Sequence, residues 1–186
     1  MIVPNRTKNF DIIIKKQQGL VMKNIAIFFA SNTGNTKAIA NEISKDLEGI
    51  KEYDIKLTGC EYMRDYHNII LGISTWDNGQ MQEDWEEIWN EFSKIDFKDK
   101  KVAIFGLGNQ KKYKNNFQDA MGKLYKQLIS SNAQVVGFTS TLGYEFESSE
   151  AVIENSFVGL ALDLENQENN SERIKQWVEN IKKEFK

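Results

Sequence analysis

Apolar residues in this chain follow two patterns that alternate from one end to the other. The first pattern is a short, mostly apolar run without polar alternation, which is typical of a strand buried on both faces of a sheet. It occurs at residues 25–30, 69–73, 102–105 and 135–139, and more weakly at 53–57 and 157–162.

The second pattern is helical spacing. Trp85, Ile88, Trp89 and Phe92 recur at i, i+3, i+4 and i+7, which predicts an amphipathic helix. Similar stripes lie at residues 39–47, 117–128 and 174–185. Strands that alternate with helices form a parallel sheet through right-handed crossovers. We therefore predict an α/β fold, a three-layer, doubly wound, five-stranded parallel sheet.

This architecture predicts where a ligand would bind. In doubly wound sheets the carboxyl ends of the strands lie along one edge, and ligands bind where the strand order reverses. Three segments follow the first, third and fourth predicted strands. They are the first loop (residues 31–36), the second loop (residues 74–80) and the third loop (residues 106–116). We expect them to converge on one crevice.

Composition limits the chemistry that this crevice could perform. The 186 residues include 24 basic and 27 acidic side chains, so a net charge of −3 gives no basic field for nucleic acid. Cys60 and His67 are the only residues of their types, which excludes a disulfide framework, an iron–sulfur cluster and most zinc sites. Redox chemistry would therefore require a bound organic cofactor, and no metal is expected.

Residues 1–21 differ from the rest of the chain. They contain the only proline and four basic residues against one acidic residue. We predict a disordered or loosely attached extension, followed by a single domain over residues 22–186. Neither a signal peptide nor an apolar stretch of about 20 residues that could span a bilayer is evident. These features favour a cytoplasmic protein without membrane association.

The first loop has the composition of an anion site. Its sequence is Ser31-Asn32-Thr33-Gly34-Asn35-Thr36, and it leads directly into a predicted helix whose first N–H groups lack partners. It matches neither G-x-x-x-x-G-K-[ST] nor G-x-G-x-x-G, so a triphosphate or a dinucleotide is disfavoured. A single phosphate monoester suits it. The alternative is an ordinary capped turn.

The other two loops add flat surfaces. Trp76 follows a buried strand at the mouth of the crevice, where an indole can stack on a planar ring. The next residues, Asp77-Asn78-Gly79, are typical of a turn. The third loop begins Gly106-Leu107-Gly108-Asn109 and carries a second aromatic residue, Tyr113. A phosphate cradle beside two aromatic rings fits flavin mononucleotide (FMN).

The chain resembles the long-chain flavodoxins over residues 24–185. The resemblance rests on the first loop, on Gly72-Ile73-Ser74-Thr75-Trp76, on the third loop and on Asn116-Phe117-Gln118-Asp119-Ala120. Residues 143–146, 157–163 and 173–177 also match the family pattern. The resemblance implies the known flavodoxin-like strand order 2-1-3-4-5, with the last strand split by an insertion at residues 140–156.

The resemblance also implies roles for individual residues. The first loop would hold the phosphate, Trp76 and Tyr113 would flank the isoalloxazine, and the backbone at residues 77–79 and 109 would meet its polar edge. Asn116 would support the third loop. The predicted FMN-binding residues are Ser31, Asn32, Thr33, Gly34, Asn35, Thr36, Ser74, Thr75, Trp76, Asp77, Asn78, Gly79, Gly106, Leu107, Gly108, Asn109, Tyr113 and Asn116.

Several positions depart from the family pattern. Ser74 stands where the family usually has proline, and Asn109 and Leu142 stand where it often has aspartate. Lysines at positions 111, 112 and 114 surround Tyr113. Because these changes make the crevice less negative, we predict that the second one-electron reduction is easier than in an acidic flavodoxin.

The implied function is low-potential, one-electron transfer between redox proteins, with no catalytic residue and no enzymatic activity of its own. The expected partners are a flavodoxin reductase or oxidoreductase as donor and an acceptor enzyme, and the protein is expected to be a monomer. An FMN-dependent NAD(P)H:quinone oxidoreductase on the same fold is the alternative. A third hypothesis is a phosphate- or partner-binding module without redox chemistry.

Overall fold

Parallel strands form the centre of the molecule. The computed structural model describes residues 25–165 and 169–185. Its strands are β1 (Ile25–Phe29), β2 (Lys51–Asp54), β3 (Asn68–Trp76), β4 (Gln80–Met81), β5 (Lys101–Gly108), β6 (Gln134–Val136), β7 (Thr139–Ser140), β8 (Val152–Ile153), β9 (Ser156–Phe157) and β10 (Leu160–Asp163). Its helices are α1 (Asn35–Lys45), α2 (Ile55–Thr58), α3 (Glu83–Phe92), α4 (Asp119–Ser130) and α5 (Asn170–Glu184), with a 3₁₀ helix at Glu61–Asp65.

The main sheet has the order β2-β1-β3-β5-β10, and all four of these pairings are parallel. The predicted doubly wound order is therefore confirmed. The short strand β4 pairs antiparallel with the end of β3, so that residues 77–79 form a hairpin turn.

The predicted division of the fifth strand position is confirmed, but the interruption is longer than the predicted residues 140–156. Strand β6 pairs with the first residues of β5, where Lys101 is opposite Gln134. Strand β10 pairs with its last residues, where Phe105 is opposite Leu160. Residues 137–159, which we call the inserted segment, lie between these two halves and contain the small antiparallel sheet β7-β9-β8.

The central strands bury both of their faces. Successive side chains of a strand point to opposite sides, so Phe28 and Leu71 pack in one cluster with Trp85, while Ile27 and Ile70 pack in the other with Trp177. Trp85 and Trp177 are buried, which confirms the helical stripes predicted for α3 and α5. Trp89 is only partly buried.

The prediction of a strand at residues 53–57 was wrong in its second half. Strand β2 ends at Asp54, whose side chain accepts a 3.1 Å hydrogen bond from the N–H of Lys56 and caps helix α2. The extension predicted at residues 1–21 lies outside the described residues. Within the described part of the chain, no helix is both long and apolar enough to cross a membrane.

Candidate functional site

A cavity of about 320 Å³ opens at the carboxyl ends of β1, β3 and β5. Its volume lies within the range of small-molecule sites, about 300–1,000 Å³. All three loops contribute to it, as the topology predicts. The predicted site residues that line it are Asn32, Thr33, Asn35, Thr36, Ser74, Thr75, Trp76, Asp77, Leu107, Gly108, Asn109 and Tyr113.

The first loop presents the N-terminus of α1 to this cavity. Gly34 precedes the helix with φ 87°, a left-handed conformation that glycine adopts without strain, and it supplies no capping side chain. The first turn contains no acidic residue. Among the described residues, no acceptor meets the N–H groups of Asn35 and Thr36. The positive end of the helix dipole is therefore available to an anion.

The first loop is fixed to the start of α3. Gln82 donates a 2.7 Å hydrogen bond to Asn32 Oδ1, and Asn32 Nδ2 donates to Glu83 Oε1 at 2.7 Å. Gln82 also donates to Asp84, a buried carboxylate whose other oxygen lies 3.3 Å from Lys56 Nζ. This network determines the orientation of the Asn32 amide, and it joins residues about 50 positions apart in sequence.

The second loop leaves the indole of Trp76 accessible. The side chain is 39% exposed, whereas Trp85 and Trp177 are buried. The indole N–H donates a 3.1 Å hydrogen bond to Ser74 Oγ, which orients the ring at the cavity. Thr75 Oγ1 accepts a 3.2 Å hydrogen bond from the N–H of Ala120, which joins this loop to the first turn of α4.

The third loop places Tyr113 and a lysine at the cavity. Lys112 Nζ lies 5.0 Å from the ring centroid of Tyr113, within the range of a cation–π contact. Contact with the Tyr113 side chain raises the pKa of the Lys112 ammonium, and the nearby carboxylates of Asp77 and Glu165 raise it further. Asn109 donates to Glu165 Oε1 at 3.0 Å and accepts from the backbone of residues 111 and 112.

The inserted segment braces the third loop from outside. Gln110 accepts a 2.5 Å hydrogen bond from the N–H of Glu145. The carbonyl of Lys114 accepts hydrogen bonds from the N–H groups of Glu147 and Ser148 at 2.7 and 3.0 Å. The Lys114 ammonium also pairs with the Glu147 carboxylate. The loop that carries Tyr113 is therefore held along much of its length.

Six predicted site residues do not line the cavity: Ser31, Gly34, Asn78, Gly79, Gly106 and Asn116. Ser31 Oγ instead accepts from the N–H of Lys37 at 3.4 Å. Gly106 is packed against Gln118, which donates to its carbonyl at 3.1 Å. The N–H of Asn116 donates to the Tyr113 carbonyl at 3.0 Å.

Three cavity residues were missing from the prediction: Lys112, Leu164 and Glu165. Leu164 and Glu165 directly follow β10, which is the neighbour of β5 in the sheet. The rule that ligands bind at the carboxyl ends of strands, applied to the last strand as well, would have found them.

Comparisons with known proteins place this geometry in a family. The family model described as Flavodoxin matches residues 27–177. A flavodoxin from Synechocystis sp. is 43% identical over 165 residues, which are 87% of this chain and 97% of that protein. A flavodoxin from Buchnera aphidicola is 42% identical over 164 residues, which are 86% of this chain and 96% of that protein. The crystal structure of Fusobacterium nucleatum flavodoxin bound to flavin mononucleotide has a TM-score of 0.83 and 37% identity, and covers 87% of this chain and 98% of that one.

Proposed function

This chain belongs to the flavodoxin family, and from that premise we propose that its cavity holds FMN with the phosphate at the first loop and the ring system between Trp76 and Tyr113. The protein is an FMN-containing electron carrier rather than an enzyme. The relatives and structures above give no support to a quinone oxidoreductase.

One observation carries the placement of the cofactor. The N-terminus of α1, whose Asn35 and Thr36 N–H groups meet no acceptor among the described residues, lines the same cavity as the exposed indole of Trp76 and the phenol of Tyr113. The N-terminus suits a phosphate, and the two aromatic rings suit a planar heterocycle. The residues present therefore fit FMN, although no lysine or arginine of the first loop itself neutralises its phosphate.

The residues around the cavity would contact different parts of FMN. The N–H groups of Asn35 and Thr36, with nearby hydroxyls and amides, would bind the phosphate oxygens. Trp76 and Tyr113 would exclude water from the faces of the ring, which disfavours added negative charge there. Bound FMN supplies the one-electron chemistry, and the protein sets its potentials through these contacts.

Family membership implies that the electron donors and acceptors are redox proteins. A reductase or oxidoreductase as donor and an enzyme as acceptor would dock over the exposed edge of the bound flavin, near the exposed face of Trp76. The monomeric state and the cytoplasmic location stay predictions. Sedimentation and cell fractionation test them.

Titration of the cofactor-free protein tests the proposal. We expect FMN to quench tryptophan fluorescence with one-to-one stoichiometry, and riboflavin, which lacks the phosphate, to bind much more weakly. The loaded protein should show two separate one-electron potentials and should not oxidise NAD(P)H without a reductase. Failure to bind FMN would support the module without redox chemistry, and turnover of NAD(P)H alone would support the quinone oxidoreductase.

A further inference from the structure

Helix α4 contacts the hairpin turn at residues 77–79 through two side chains. Lys123 Nζ donates a 2.6 Å hydrogen bond to the carbonyl of Gly79. The Asp119 carboxylate packs against the same residue, since a Cβ built on Gly79 would lie 2.7 Å from Asp119 Oδ2. Asn116 in turn donates to Asp119 Oδ2 at 2.9 Å. The carboxyl end of the turn therefore packs against the first residues of α4.

The rest of the turn has little such support. Within the described part of the chain, Lys123 makes the one side-chain hydrogen bond to the backbone of residues 77–79. Asp77 has φ 41° and Gly79 has φ 83°, so two left-handed residues stand on either side of Asn78. Non-glycine residues populate this region only when their surroundings hold them there. The contact from Lys123 therefore restricts a backbone that has other conformations within reach.

The turn also borders the cofactor cavity. Asp77 and Trp76 line the cavity, while Gly79 is buried behind them against α4. A rotation of the peptide groups on either side of Asn78 would change which backbone atoms face a ring bound beside Trp76. Whatever fixes Gly79 thus limits those rotations from the far side of the turn.

We propose that Lys123 is a positioning residue of the flavin site, which fixes the turn at residues 77–79 through the Gly79 carbonyl and so tunes the potentials of the bound cofactor. The proposal rests on the proposed function, since it assumes that FMN occupies the cavity. Lys123 itself does not line that cavity. It acts through the backbone of the turn.

The test compares three variants. Lys123→Met removes the hydrogen bond and keeps most of the apolar stem, and Lys123→Arg retains a cationic donor. Lys126→Met is the matched control, because Lys126 lies on the same helix but pairs with Glu150 at 2.8 Å. It removes the same charge without touching the turn.

The first measurement uses the protein without FMN. In Lys123→Met we expect the amide order parameters of Asn78 and Gly79 to fall from about 0.85, typical of rigid backbone, to below about 0.6. Lys123→Arg and Lys126→Met should retain the original values. Unchanged order parameters in Lys123→Met would overturn the proposal, whether or not FMN binds.

The second measurement is the pair of one-electron midpoint potentials of the loaded protein. We expect Lys123→Met to change their separation by the equivalent of a tenfold change in one equilibrium constant, about 59 mV. Lys123→Arg should restore the separation. An equal change in Lys126→Met would show a charge effect alone and overturn the proposal, as would an unchanged separation in Lys123→Met. Failure of the unaltered chain to bind FMN would instead contradict the proposed function, while the order parameters would still test whether Lys123 fixes the turn.

Discussion

The side-chain amide of Gln110 donates a 2.7 Å hydrogen bond to the carboxylate of Asp163, which is completely buried. The other carboxylate oxygen accepts from the N–H of Glu165 at 3.1 Å. Because Gln110 also accepts from the backbone of Glu145, one side chain joins the third loop, the last strand and the inserted segment. The wall of the cavity therefore depends on a residue that does not line it.

The variant Gln110→Leu leaves one oxygen of the Asp163 carboxylate without its donor in the protein interior. We expect the free energy of unfolding to fall by about 1–3 kcal/mol, the cost of a buried polar group left unpaired. Urea unfolding of the cofactor-free protein measures it. Lys111→Ala, at the exposed neighbouring position, should leave the midpoint within error, and equal stability of the two variants would contradict this role of Gln110.

Ser74 orients the indole of Trp76, so its hydroxyl should matter for cofactor binding. We expect Ser74→Ala to weaken FMN binding by about 0.5–1.5 kcal/mol, the net value of one hydrogen bond. Fluorescence titration gives the dissociation constants. Ser74→Thr keeps a hydroxyl and serves as the control. If the alanine variant binds FMN as tightly as the original chain, the hydrogen bond does not position the indole.

The lysines around Tyr113 should differ in their effect on the second reduction. Lys112 lines the cavity, whereas Lys114 is paired with Glu147. Replacing Lys112 with glutamine removes a positive charge, so we expect the lower midpoint potential to become more negative, and Lys114→Gln to have the smaller effect. The difference should shrink as salt is added, since salt screens exposed charges.

The three lysines of the third loop should also act together on the lower midpoint potential. Exchanging Lys111, Lys112 and Lys114 together for glutamate should move the lower potential further in the same direction. An unmoved potential in that triple variant would show that these lysines are a solvated rim without influence on the cofactor.

Cys60 should be unreactive in the native protein. Its side chain is 3% exposed, and burial raises the pKa of its thiol, so little of the nucleophilic thiolate is present. We expect slow labelling by a thiol reagent near neutral pH and fast labelling in urea, with Cys60→Ser as the unreactive control. The stability that the raised pKa contributes is present below the unfolded thiol pKa, about 8.5, and is lost as the pH rises through the folded pKa.

Gly137 supports the packing of Trp177 and should not tolerate a side chain. It has φ 78°, its carbonyl accepts a 2.7 Å hydrogen bond from the indole N–H, and an added Cβ would lie 2.7 Å from Trp177 Nε1. We expect Gly137→Ala to destabilise the fold by about 1–3 kcal/mol in thermal unfolding.

Gly143 supplies the control for that experiment. It has a similar φ of 84°, but the nearest atom to an added Cβ is 3.7 Å away. Gly143→Ala therefore carries the backbone strain without the overlap. Equal losses of stability in the two variants would show that backbone strain alone accounts for the effect.

The sequence predicts the main sheet and its helices because these elements depend on local patterns of apolar and polar residues. The apolar runs that form β1, β3 and β5 have no polar alternation, since both faces of those strands are covered. The meeting of the three loops then follows from the rule for carboxyl ends. The end of β2 at Asp54 was missed because a short side-chain cap outweighed the weak strand pattern of residues 53–57.

The long-range hydrogen bonds that position the loops of the site could not be predicted in this way. Gln82 reaches Asn32 across 50 residues, Gln110 reaches Asp163 across 53, and Lys123 reaches Gly79 across 44. Such pairs depend on the register of the strands and on the positions of the helices over the sheet. Neither spacing nor residue type along the chain indicates them.

The division of the fifth strand has a consequence for how the molecule assembles. The chain leaves the sheet after β6, hydrogen-bonds to the third loop through residues 145–148, and returns as β10 beside the second half of β5. We therefore expect the pairing of β10 at the edge of the sheet and the formation of this side of the cavity to be cooperative. FMN bound in the cavity would protect this edge of the sheet against local opening. Loss of FMN should therefore increase the fraying of β10.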